Sequence, residues 1–232
     1  QYFSPLYREV NASDADVEVL YLRQVDGSEN ESVHDAGFGH AVAWDVDLTG
    51  GYPWTSLGLT RAPFHYSPRD YVRIARGVTR WARAVKPDVV LIPGWTPPYL
   101  VCALALRAAR VPLISRPEAR RVDQSGIRGV ARRIVVRAFV KAVRGFAVIG
   151  SASHDELIRL GVPEHACFES PYTIDDQAWA SLARDGRGHR DGIRRDWGVD
   201  KGDTVFITVA KMLPYKNPLQ LVEVFALVHQ GN

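Results

Sequence analysis

The chain has 232 residues, 46 % of them hydrophobic and 24 % charged, and 29 lysines and arginines against 26 acidic residues leave a net charge of +3. This is globular composition, which excludes a disordered or fibrous chain and leaves room for one large or two modest domains. Two cysteines, Cys102 and Cys167, with no CxxC spacing exclude a disulfide framework or a cysteine-based zinc site and point to a reducing compartment.

Short apolar runs alternate with longer amphipathic stretches, the pattern of βα units around a parallel sheet. Residues 17–22 read as the first strand. Residues 31–68 carry Gly37, Gly39, Gly50, Gly51 and Gly58 among aromatics and read as irregular loops with room for a short hairpin. A helix over 68–85 leads to a strand over 89–93. Pro97 and Pro98, tolerated in a first helical turn, then start a helix over 98–110. A strand over 111–115, a helix over 127–144 and a strand over 146–150 follow. Ser153 reads as the cap of a helix over 153–160, which Gly161 closes. Residues 175–203 are polar and hold Gly186, Gly188, Gly192, Gly198 and Gly202, the composition of a linker. A last strand over 205–210 and a helix over 219–228 complete the pattern. The strands are Val-, Ile- and Leu-rich without alternation, as strands covered on both faces are. One strand and one helix bury no core alone, so the rest of a second domain is expected beyond Asn232.

Common motifs are absent. There is no Walker A sequence, no GxGxxG, no GxSxG elbow and no HExxH, and the seven histidines are scattered. Two DxD tripeptides, Asp14-Ala-Asp16 and Asp45-Val-Asp47, have the spacing to share a strand face and hold a cation, but solvated turns explain them better; no metal site is expected.

The loop after strand 89–93 places Gly94 and Trp95 at the carboxyl edge of the sheet, where open α/β sheets bind ligands. Two readings of Trp95 stay open: a flat face for a sugar or lipid chain, or a cover for the sheet end. Arg116 and Glu118 leave the next strand at the same edge. There they meet a phosphate or a hydroxyl, or pair with each other. Lys211 and Lys216 flank the loop after strand 205–210, ahead of a helix start, where ammonium and backbone N–H groups favour a pyrophosphate.

These residues resemble the group 1 (family 4) glycosyltransferases, which have two Rossmann-like domains in the GT-B arrangement. The second domain of that family opens with a strand, Gly-Arg-Leu, and a lysine five positions after the arginine. Residues 204–216 follow the pattern with Ala210 for the glycine and Lys211 for the arginine. Residues 149–162 are similar to the last strand and helix of the family's first domain. Residues 170–175 with Trp179 are similar to its interdomain turn, with Tyr172 and Thr173 in place of Asn-Gly, and residues 194–199 to the lead-in of its second domain. Residues 1–8 and 44–52 resemble a bacterial subset. The resemblance implies an α/β fold: a Rossmann-like parallel sheet with helices on both faces, the first half of a GT-B protein. It implies an acceptor-side domain over 1–172, a linker over 173–203 and the start of a donor-binding domain over 204–232, in a chain cut at both ends.

Its implied activity is transfer of a sugar, with retention, from a nucleotide-diphosphate donor to a saccharide or lipid-linked acceptor in bacterial polysaccharide biosynthesis. Lys211 and Lys216 would contact the donor diphosphate, and Gly94, Trp95, Arg116 and Glu118 would line the acceptor side. The family needs no cofactor and no bound metal, and its Glu-x7-Glu motif would fall past Asn232. No catalytic residue is assigned, and the piece alone is expected to be inactive.

Residues 120–144 hold eight cations and one anion, Asp123, so this segment carries +7 and the remaining chain −4. Arg133, Arg137, Lys141 and Arg144 follow helical steps of four, four and three. Such a helix suits an anionic membrane surface, which would place the protein in the cytoplasm at the inner face of the membrane. An ordinary sheet-covering helix with a solvated basic face fits equally. Nucleic acid fits less well, since no stacking aromatics interleave the cations. The alternative to an enzyme is therefore a non-catalytic α/β module docking on a membrane or partner through residues 127–144.

Overall fold

The computed structural model describes residues 3–25, 32–35, 40–43, 47–59, 66–119, 126–210 and 213–230. Among the residues singled out above, Gly37, Gly39, Asp45, Asp123 and Lys211 lie outside this set. In chain order the first elements are α1 (Phe3–Asn11), β1 (Val19–Arg23), β2 (Ser32–Asp35), β3 (His40–Ala43), β4 (Trp54–Leu59) and α2 (Pro68–Val85). Then come β5 (Val90–Ile92), α3 (Pro97–Ala108), β6 (Leu113–Ser115), α4 (Gly126–Val140), β7 (Gly145–Val148), α5 (Ser151–Arg159) and β8 (Cys167–Glu169). The remainder is helical: α6 (Asp176–Arg187), α7 (Arg190–Asp196) and α8 (Pro218–Gln230).

The chain divides into two compact units: one comprises Glu18–Val25 and Pro53–Thr173, the other Gln1–Val17, Asp26–Tyr52 and Ile174–Asn232. The first unit is Rossmann-like α/β. Its strands β5, β6, β7 and β8 pair in that order, all parallel, and β1 pairs in parallel with β4. Sequence reading finds four of these six strands. It misses β4, which falls in the segment read as loops, and the three-residue β8.

Local chemistry fixes the helix ends. Ser67 and Asp70 form a reciprocal cap on α2: the Asp70 N–H donates to Ser67 Oγ at 3.3 Å and the Ser67 N–H to Asp70 Oδ2 at 2.8 Å. Midway along α2, a Cβ on Gly77 would stand 2.7 Å from Leu57 Cδ2, so the bare glycine lets the helix press onto β4. The core gathers Ile74, Val78 and Ala82 of α2, Cys102 and Leu106 of α3, and Leu59, Ile92 and Leu113 of the strands. A second cluster gathers Val136 and Val140 of α4, Phe146 and Val148 of β7, and Leu157 of α5.

Burial pushes the Cys102 thiol up to about 12 from an ordinary 9.0. The folded state therefore keeps this thiol neutral while the unfolded chain ionises it. Its contribution is complete below pH 9 and fades as pH rises towards 12. Near pH 9.0 alkylation of the folded protein is expected to label Cys167, which is only half-buried, well before Cys102. Mass spectrometry of the alkylated peptides checks this, and equal labelling rates would refute it.

Three expectations change. The helix expected over 127–144 ends at Val140. Beyond it the Ala142 and Val143 N–H groups tighten onto the Phe139 and Val140 carbonyls, and the Arg144 N–H donates to Leu113 O at 2.8 Å. The edge of β6 thus captures the backbone and turns it into β7. The helix expected from Ser153 starts at Ser151, with Gly150 as its cap and Ser153 inside it. Residues 204–210 form no strand, because a ladder needs a partner and none pairs with them among the described residues. Phe206, Ile207 and Val209 are all exposed there.

In the second unit α1 is tied to the turn over 47–52. Ser4 Oγ donates to Leu48 O at 3.0 Å, Arg8 Nη1 to Asp47 O at 2.9 Å, and the Tyr7 and Tyr52 rings meet edge-on at 5.4 Å. The stretches 1–8 and 44–52 are noted separately in the sequence, and their described parts, 3–8 and 47–52, meet here. Asp47 is spent on the turn itself: Oδ1 accepts the Thr49 and Gly50 N–H groups, both at 2.9 Å. Those bonds hold its carboxyl below the usual carboxylate range. The polar stretch 175–203 carries α6, capped by the Asp175 side chain on the Ala178 N–H, and α7.

Candidate functional site

Because β5 to β8 run parallel, their carboxyl ends open on one edge. Gly94 follows β5, Arg116 and Glu118 follow β6, Gly150 follows β7, and Ser170 follows β8. Gly94 has φ of +95°, the left-handed region that favours glycine, while a Cβ there would meet Pro117 Cα at an ordinary 3.8 Å. Conformation rather than space therefore calls for glycine at this position. The Arg116 N–H donates to Ile92 O at 2.9 Å and the Ser170 N–H to Val148 O at 2.7 Å. These bonds extend the sheet's pairing into the loops that carry the edge.

Arg116 and Glu118 reach the same edge as expected, and both turn to the segment after β8. The Arg116 guanidinium is buried. Its Nε donates to Ser170 Oγ at 3.3 Å and its Nη2 to the Ser170 and Pro171 carbonyls, both at 3.0 Å. It also lies 4.8 Å from the centre of the Tyr172 ring, over its face. The Tyr172 hydroxyl donates to Glu118 Oε1. Desolvation first, then the bond to Glu118 and its charge, push the Tyr172 phenol up to about 12 against the pull of Arg116. The result is a closed clamp around residues 170–172, the stretch similar to the family's interdomain turn. Ser153 Oγ donates to Pro117 O at 3.3 Å and ties α5 to the same loop.

Trp95 packs on the sheet end. Its ring meets Phe139 of α4 edge-on at 6.2 Å, and it touches both core clusters while staying partly exposed. Lys216 ends a short 3₁₀ turn, Pro214–Lys216, and is exposed two residues before α8. Asn217 follows in the left-handed region at φ of +51°, and its Nδ2 donates to Gln220 Oε1 at 2.6 Å. Of the basic row, Arg133 and Arg137 lie exposed on α4 and Lys141 in the turn beyond it. Arg144 is off the helix, next to β7. Sequence reasoning missed Ser170 as a partner of Arg116. The only signal for it is that the family's interdomain turn starts there.

The profile described as Glycosyl transferase 4-like domain matches residues 1–168. No curated protein sequence matches the chain. Among solved structures, UDP-GlcNAc 2-epimerase from Neisseria meningitidis bound to UDP-GlcNAc aligns with a TM-score of 0.51 and 16 % identity, covering 79 % of this chain and 46 % of its own. UDP-N-acetylglucosamine 2-epimerase from Rickettsia bellii aligns at 0.44 with 17 % identity, over 65 % of this chain and 38 % of its own. The Methanocaldococcus jannaschii UDP-GlcNAc 2-epimerase aligns at 0.40 with 18 % identity, over 53 % and 32 %. The chain thus spans less than half the length of these structures. The Neisseria alignment places its fold in the Rossmann-like GT-B class.

Proposed function

Since the chain belongs to the glycosyl transferase 4-like family, we propose that it is the acceptor-side part of an enzyme that moves a sugar, with retention, from a nucleotide-diphosphate donor to a saccharide or lipid-linked acceptor. Bacterial surface polysaccharide is the product class that fits. Beyond family membership, the observation that carries this reading is the carboxyl edge of the parallel sheet. Gly94, Glu118 and the clamp on residues 170–172 gather there, at the edge where open α/β sheets take ligands. The donor class draws further support from the Neisseria epimerase, which is bound to UDP-GlcNAc, a nucleotide-diphosphate sugar.

In this reading residues 204–230 open the donor-binding domain. Lys211 and Lys216 neutralise the leaving diphosphate, and the protein works by orienting donor and acceptor rather than through a bound metal. The test uses the full-length protein with a panel of sugar nucleotides and candidate acceptors. Transfer is expected for one donor, and Lys216→Ala is expected to weaken nucleotide-diphosphate binding about tenfold to a hundredfold, the worth of a charged hydrogen bond. No turnover of any donor, with Lys216→Ala binding nucleotide diphosphate as well as the parent, overturns the reading. Release of an epimerised sugar without transfer would overturn the transferase step and place the chemistry with the epimerases.

A further inference from the structure

At the opposite, amino-terminal edge of the same sheet lies a cavity of about 210 Å³ at the foot of α4. Arg107, Arg110 and Arg144 line it over Pro112 and Ala142, with no acidic side chain in its wall among the described residues. Arg107 lies in the last turn of α3 and Arg110 in the turn that leads from it into β6, while Arg144 leads into β7, so two backbone segments bring these cations together. Arg110 has φ of +59°. Its N–H donates to Arg107 O and the Val111 N–H to Leu106 O, both at 3.0 Å, the bond pair of a helix end whose left-handed position is normally glycine. An arginine in that position keeps backbone strain that a glycine would relieve, and strain of this kind is retained at functional sites.

The exposed face of α4, the helix that ends beside this cavity, has a matching composition. Val130, Ile134 and Arg137 follow steps of four and three and so share one side of α4, Lys141 continues the row in the turn beyond it, and all four are exposed, Ile134 by 63 %. Val136, Phe139 and Val140 occupy the buried side. Aliphatic side chains held in solvent beside cations suit a lipid interface, where the charges meet headgroups and the aliphatics reach the acyl boundary. A nucleic-acid surface would need no such aliphatics, and the α4 aromatic, Phe139, is buried.

We propose that α4 lies along an anionic bilayer, with a lipid phosphate seated between Arg107, Arg110 and Arg144 at its far end and with Val130 and Ile134 along its length against the acyl boundary. The test is flotation of the full chain with phosphatidylcholine vesicles, alone or with one third phosphatidylglycerol. The protein is expected to float only with the anionic vesicles and to be released by high salt. A cation near such a surface is worth about fivefold in partition, so the triple variant Arg107→Gln, Arg110→Gly, Arg144→Gln is expected to lose about a hundredfold. Arg110→Gly alone is expected to lose about fivefold while melting at the same or a higher temperature, which separates binding from folding. Ile134→Ser is expected to weaken partition without changing the melting temperature. Equal flotation with neutral vesicles, no flotation with anionic ones, or an unaffected triple variant overturns the proposal. So does binding of inorganic phosphate without vesicle partition, or a preference for duplex DNA over anionic vesicles. Partition needs no turnover, so this result stands or falls apart from that of the sugar-transfer assay.

Discussion

Phe146→Ala is expected to cost the first unit about 3–5 kcal/mol, the range for deleting a fully buried phenyl ring. Phe146 is 1 % exposed, and it sits in β7 with Ser115 of β6 opposite on one side and Cys167 of β8 on the other. It belongs to the cluster of Val136 and Val140 from α4 and Leu157 and Leu160 from the α5 region. The lost ring therefore leaves a void between a strand paired on both sides and two helices, which cannot close without breaking the ladder. Domains of this size are stable by roughly 5–15 kcal/mol, so one substitution removes a large share. Denaturant unfolding followed by tryptophan fluorescence measures the loss. Phe168→Ala, two residues into the next strand and 47 % exposed, is the control and is expected to cost under about 1 kcal/mol. A cost below about 1.5 kcal/mol for Phe146→Ala would mean that this cluster does not hold the unit together.

The strands that are legible in the sequence are those with apolar runs. Residues 90–92, 113–114 and 145–148 are such runs because Ile92, Leu113, Phe146 and Val148 go into the core, and the run itself is the signal. β4, Trp54-Thr-Ser-Leu-Gly-Leu59, mixes polar and apolar residues, and Gly58 at φ of +64° looks like a turn residue. Only its pairing with β1 makes it a strand. β8 is three residues long with Phe168 half outside, too short for any periodicity to register. The opposite error occurs at residues 204–210. Their composition is that of a buried strand, but a strand is a property of two chains' hydrogen bonds, and no described residue supplies the second. At α6 the glycines masked a run of Ala, Leu and Arg behind a competent Asp175 cap.

The candidate site divides in the same way. That Gly94, Arg116 and Glu118 share an edge follows from strand ends, which local patterns reveal. What each side chain does there depends on residues far along the chain: Tyr172 is 54 positions from Glu118, and Phe139 is 44 from Trp95. No spacing rule links such pairs. Arg107 and Arg110 are likewise unremarkable in sequence, and Arg144 stands out there only as the end of the basic row; the meeting of a helix end with two strand starts makes them a cluster.

Arg116→Met is expected to lower the stability of the first unit by about 3 kcal/mol and to make the chain after β8 a protease target. Arg116 is 8 % exposed, and its guanidinium gives charged hydrogen bonds to the Ser170 and Pro171 carbonyls, each kind worth about 1.5–3 kcal/mol, with a stacking contribution from Tyr172 of about 0.5–1 kcal/mol. The Pro171 carbonyl is near the surface and recovers part of its loss from water, which keeps the total near the lower end of the sum. Methionine fills much of the arginine stem's volume, so the change isolates the guanidinium. Arg116→Lys keeps the charge but has no planar fork to reach two carbonyls and a hydroxyl at once, so it is expected to recover little. Thermal unfolding and limited proteolysis, with cleavage mapped around residues 170–175, read both effects. The comparison decides between two jobs for this arginine. A residue whose work is to hold a ligand phosphate would show unchanged unfolding and protection with weakened ligand binding. A residue that locks the exit of β8 would show the losses above even in the absence of any ligand, and the hydrogen bonds seen here favour the lock.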